Sequence, residues 1–137
     1  MTFETALVRR LLDAATVAEP TSGRIDWMRR PNGSLPAITL QTVSDPRPQH
    51  FKGFQSTRPT RVQIDVWAAR PGDAVQLRNQ VIATLAPADV VEGVGFQRAM
   101  IADVRPGFET DEAASEGQPA GEIYREIIDI IFTHNAN

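Results

Sequence analysis

Apolar and polar positions alternate over residues 61–68. Val62, Ile64 and Val66 share one side of an extended chain, and Gln63, Asp65 and Trp67 the other. Just beyond, the period changes: Ala74, Leu77, Val81 and Leu85 recur at helical spacing. Pro71 suits the first helical position, Asp73 complements the positive end of the helix dipole, and Pro87 ends the run. A half-buried strand feeding directly into an amphipathic helix is therefore predicted here. A second helical stripe, Phe3, Leu7, Leu11, Ala14 and Ala15, follows Thr2, a suitable N-cap, and ends near Ala18. Turns are predicted at 20–23 and at 31–34, where Asn32-Gly33 favours positive φ.

Further strands are predicted at 25–28, 37–43, 96–104 and 122–133. In the last, Tyr124, Ile128, Ile130 and Phe132 share one face, and Ile127, Asp129 and Ile131 the other. Two long connections remain. Residues 45–59 hold three prolines with Phe51 and Phe54, and residues 105–121 are acidic and rich in small side chains. Connections of that length are commonly functional or disordered.

The predicted order is α-β-β-β-α-β-β. Strands joined through hairpins pair antiparallel. The expected class is α+β: an antiparallel four- to five-stranded sheet with two helices packed on one face, forming a single domain over residues 1–137. The other sheet face is only half polar. Trp67, Ile127 and Ile131 are expected to lie exposed there in a monomer, as apolar area rimmed by charge that either meets another subunit or is covered by a long loop.

Composition narrows the function. The chain has 137 residues, no cysteine, 42% hydrophobic and 23% charged residues, and a net charge of −3. Disulfide and thiolate chemistry are excluded. The sign of the charge argues against a dedicated nucleic-acid binder, which releases counterions through a cationic surface. No apolar run has membrane-spanning length, and Arg9 and Arg10 interrupt the first apolar stretch, so no signal peptide is expected and the product is expected to be cytoplasmic when made.

Catalytic candidates are few. Asp65 and Asp129 occupy similar points on two apolar strands and form a carboxylate pair only if close and desolvated. His50 and His134, the only histidines, lack metal-ligand spacing, leaving at most His134 with Asp129 or Asp65. Gly93-Val94-Gly95 precedes a predicted strand, whereas a dinucleotide loop runs from strand into helix, and Arg98 stands at the third glycine position. No cofactor, metal or catalytic residue is expected. Trp27, Arg29 and Arg30 place an aromatic beside two guanidinium groups, a combination favoured at interfaces and also able to stack on nucleic acid; the negative net charge favours the interface.

Taken in order, several segments resemble a known family. They are the N-terminal Leu-rich helix, Gly23-Arg24-Ile25-Asp26-Trp27, Leu35-Pro36-Ala37-Ile38-Thr39-Leu40, Val62-Gln63-Ile64-Asp65-Val66-Trp67-Ala68 with its following helix, and Ile123-Tyr124-Arg125-Glu126-Ile127-Ile128-Asp129. The set is similar to the tail terminator, or tail-completion, family of long-tailed phages, found also in phage-derived gene transfer agents. The acidic 105–121 segment is longer and more polar than that family suggests.

The resemblance implies a non-enzymatic, hexameric ring at the head-proximal end of a tail tube. Such a ring stops tube polymerisation and docks the head connector, and DNA passes through its lumen unbound. The implied partners are further copies of the chain, the tube protein and the connector or stopper; no membrane is involved. The implied location is the cytoplasm during assembly and then the particle. Trp67, Asp65, Ile127, Asp129 and Ile131 are the expected subunit interface. Trp27, Arg29, Arg30, Phe51 and Phe54 are the expected contacts to tube, connector or neighbour. The alternatives are a head–tail stopper or connector component, and a small cytosolic ligand-binding regulatory domain, which a deep apolar pocket with convergent polar groups would favour.

Overall fold

The computed structural model describes residues 1–29, 34–111 and 121–136, with side chains assigned except at 108–111 and 121–122. Arg30 and residues 112–120, including Glu112 and Glu116, lie outside the described residues.

Helix α1 (Phe3–Leu12) starts at Thr2, whose hydroxyl accepts the Thr5 N–H. The predicted single helix is in fact two. Ala14 is extended, and α2 (Ala15–Thr21) follows, running past Pro20 and closing on Ser22 and Gly23 at positive φ. The strands are β1 (Ile25–Trp27), β2 (Ala37–Ser44), β3 (Gln49–His50), β4 (Gly53–Phe54) and β5 (Arg58–Ala68). Helix α3 (Pro71–Leu85) comes next, then β6 (Asp89–Val91), β7 (Val94–Phe96), β8 (Met100–Asp111) and β9 (Gly121–His134).

The main sheet runs β1-β2-β5-β9-β7-β6, with β8 also on β9. It is larger than expected and mixed rather than wholly antiparallel, because β1 pairs parallel with β2, Ile25 opposite Ile38. The hairpin rule fails at that step because nine residues separate Trp27 from Ala37, more than a tight hairpin turn uses. The expected strand at 96–104 is also two: β7 closes a hairpin with β6 through Glu92 and Gly93, both at positive φ, and β8 starts afresh. The expected connection at 105–121 is shorter than read, since Arg105 to Asp111 continue β8 against β9.

Helices α1 and α3 lie on one face of the sheet, as the stripes require. Phe3, Leu7, Leu11, Leu77, Val81 and Leu85 pack against Ile38, Leu40, Val62, Ile64, Val66, Ile128, Ile130 and Phe132. One ion pair reinforces that packing: Arg78 of α3 donates to Glu126 of β9 at 2.6 Å.

Candidate assembly surfaces

The β5–β9 register sets Trp67 opposite Arg125, Asp65 opposite Ile127 and Gln63 opposite Asp129. Residues in register share a face. This is the sheet face away from the helices, extended by Thr39 beside Asp65 and Arg105 beside Ile127. Asp65 and Asp129 therefore do share a face, but each is paired with arginine. Arg125 Nη1 is 3.7 Å from Asp65 Oδ2, and Gln63 donates to Asp65 Oδ1 at 3.0 Å. Arg61 and Arg105 converge on Asp129 Oδ2 at 3.3 and 2.9 Å, and Arg105 also reaches Asp103 at 2.9 Å. Hydrogen bonds from Arg105 to Asp129 and Asp103 hold its proton more firmly than usual. Buried Asp129 Oδ1 has no hydrogen-bond partner among the described residues.

The face is half polar, as expected, but Trp67, Ile127 and Ile131 do not lie exposed on it. The Arg125 guanidinium lies 5.0 Å from the Trp67 ring centroid, while the indole N–H donates to Thr39 Oγ1 at 3.0 Å. Gly107 leaves room for the arrangement: a Cβ there would stand 3.0 Å from Arg125 Nε. Trp67 and Ile131 are half-buried, and Ile127 is only 7% exposed in the single chain. Arginine side chains from the strands beside them had no signature in the local pattern, because the pairing that brings them there is non-local.

Met100, opposite Ile131, is 64% exposed on this face, and further exposed apolar groups lie on a separate element. Strands β3 and β4 form a small separate hairpin, Gln49 opposite Phe54 and His50 opposite Gly53, with Gly53 at φ +121°. Phe51 and Phe54 on it are 110% and 69% exposed, so neither is buried by the described residues of its own chain. The hairpin's base is held at Asp45, which accepts from Arg47 at 2.7 Å and from Arg58 and Thr60 at 2.9 Å. Desolvation opposes ionisation of Asp45, but the hydrogen bonds from Thr60, Arg58 and Arg47 outweigh it and hold the carboxyl below its ordinary value.

His134 stands on the helix side of the sheet, away from Asp65 and Asp129. It is stacked on Phe3 with centroids 4.1 Å apart. The Thr60 hydroxyl donates to Asp45, so His134 Nε2 donates to Thr60 Oγ1 at 2.7 Å, and Nδ1 accepts the Ala136 N–H at 3.1 Å. Burial first, and then the charge of Arg58, push this imidazole down to about 4. The Arg58 guanidinium also donates to Ala136 O, tying the end of β9 to β5. His50, by contrast, sits on the exposed hairpin and accepts the Lys52 N–H.

Trp27 is half-buried, its N–H donating to Glu4 O at 3.1 Å, and exposed Met28 and Arg29 follow it. Between α1 and β1 lies a cleft of about 330 Å³ lined by Val8, Leu12, Ile25 and Trp27, with Glu4 and Asp26 among its polar groups. No group of three or more His, Cys, Asp or Glu side chains able to hold a metal occurs among the described residues.

The profile of the family described as tail completion protein gp17 matches residues 5–121. The chain belongs to that family. As a family member it is a structural component of a phage-like tail. No curated protein matches it. Among solved structures, a chain of the virion of a native gene transfer agent particle is similar in fold. The TM-score is 0.61 at 13% identity, over 97% of this chain and 95% of that one. Among the described residues, no helix is long and apolar enough to cross a membrane.

Proposed function

We propose that the chain assembles into a hexameric ring that caps the head-proximal end of a phage-like tail tube, stops its polymerisation and joins it to the head connector, without catalysis. The observation that carries an assembly role is the β3–β4 hairpin, which holds two phenylalanines in solvent on a tail-completion scaffold. Exposed aromatic groups of this size favour a partner, since each buries a large apolar area on contact. Phe51 and Phe54, with Trp27 and Arg29, meet the neighbouring subunit, the tube or the connector.

The arginine–carboxylate lattice around Trp67, Asp65, Ile127, Asp129 and Ile131 forms the second contact surface. Its use differs from that of a greasy patch: it selects a partner with complementary charge and rejects others, which favours specificity over raw affinity. The net charge of −3 suits a lumen that repels DNA phosphate and lets it pass.

The test is the mass of the purified protein alone and mixed with tube protein. A discrete ring on the tube end supports the proposal. A chain that remains monomeric in both conditions contradicts it.

A further inference from the structure

We propose that the β3–β4 hairpin of one copy docks in the α1/β1 cleft of the next, so that this contact propagates head to tail around the assembly. The inference rests on the self-assembly reading above and names the mate of its exposed hairpin.

Three observations carry it. The first is vacancy on both sides: Phe51 is fully exposed, so the chain does not fill its own cleft, and the cleft of about 330 Å³ has room for a phenyl ring. The second is lining. Val8, Leu12, Ile25 and Trp27 make an apolar floor, and Leu12, itself 41% exposed, opens it to solvent. The third is charge. Lys52, the only lysine in the chain, stands between the hairpin's strands, next to Phe51. Among the described residues that line it, the cleft carries Glu4 and Asp26 against Arg9. An aromatic with an adjacent ammonium thus faces an apolar floor with an acidic rim.

Symmetry gives the contact its consequence. Hairpin and cleft are different surfaces of one chain. Joined head to tail they form a heterologous contact, which generates a closed ring or an open filament. Exchanged reciprocally by two copies they would form a two-fold dimer, so a double variant that cross-links only to dimers overturns the head-to-tail arrangement.

Because the natural chain has no cysteine, cross-linking tests this directly. A double variant carrying Lys52→Cys and Asp26→Cys, oxidised at high concentration, should give disulfide-linked multimers, while neither single variant should. A disulfide requires Cα atoms within about 7 Å, so the product reports the docked geometry. Mixing Phe51→Glu with Leu12→Glu should then give dimers and nothing larger, because each such pair retains one intact hairpin and one intact cleft. A double variant that stays monomeric overturns the proposal. So does a Phe51→Glu protein that forms normal rings and loses only tube binding, since the hairpin then belongs to the tube. An open-ended ladder in the double variant, with no closed species, leaves the hairpin–cleft contact standing and overturns the ring instead.

Discussion

The Arg125 guanidinium sits 5.0 Å from the centroid of the Trp67 ring, and the same side chain reaches Asp65 at 3.7 Å. One arginine therefore covers an indole and neutralises a carboxylate that has only 9% exposure. Arg125→Ala should cost about 1–2 kcal/mol, the cation–π contribution plus a weakened partner for Asp65. In a Trp27→Phe background, which leaves Trp67 as the sole indole, the emission maximum should shift to the red. An unchanged spectrum would show that something else covers the ring.

Trp67→Glu places a second acid beside Asp65 on the lattice that we assign to a subunit contact. The expected product is a folded monomer, with native circular dichroism, that fails to assemble. Normal assembly by this variant would remove Trp67 from the interface.

Phe51 and Phe54 make no core contact, so Phe51→Ser with Phe54→Ser should leave stability within about 0.5 kcal/mol of the natural protein. Assembly, measured by sedimentation, should be lost. The combination separates an interface role from a folding role: a large drop in thermal midpoint would mean that the hairpin packs on its own chain after all.

Glu126 is buried and held by Arg78 across the helix–sheet boundary. Arg78→Ala strands that carboxylate and should cost about 3 kcal/mol in chemical denaturation. Replacing both residues by Leu should recover most of the loss, because an apolar pair leaves no uncompensated charge. A double variant no better than the single one would contradict this.

His134 supplies a pH dependence with a definite sign. Its folded value of about 4 lies below the ordinary 6.5. As pH falls from 6.5 to 4 the unfolded chain takes up a proton that the folded chain refuses. Stability is therefore complete above 6.5 and declines through that window, by up to about 3 kcal/mol. The depressed Asp45 carboxyl acts lower: its contribution is present above 3.8 and is lost as pH falls beneath it. His134→Phe preserves a ring against Phe3 and should flatten the thermal midpoint between pH 6.5 and 4. An equally steep profile in this variant would assign the slope to other groups.

The β5–α3 unit was readable because its signals agree: strict alternation through Val62, Ile64 and Val66, then Pro71 and a helical stripe ending at Leu85. The two long strands were legible only in part. Arg105 to Asp111 carries polar and small residues that favour a loop locally, and its extended form comes from the ladder with β9. The β6–β7 hairpin did leave a signal, Glu92-Gly93 between Val91 and Val94, which reads as a turn once the phosphate-loop interpretation is set aside. The break at Ala14 has no marker that distinguishes it from continuing helix.

The candidate surfaces divide along the same line. That Asp65 and Trp67 lie together, opposite the core, follows from strand period alone. That Arg125 covers Trp67, and that Arg61 and Arg105 meet at Asp129, depends on the register of β5, β8 and β9 and has no local code. Phe51 and Phe54 were conspicuous as aromatics in a proline-rich segment, but only the fold shows that they project from a separate hairpin into solvent.

Imaging of particles produced without this chain tests the central claim most directly. Loss of a ring that ends the tube should yield overlong or headless tails, and supplying the natural protein should restore uniform tails joined to heads. Intact particles with tails of normal length, assembled in its absence, would contradict the account.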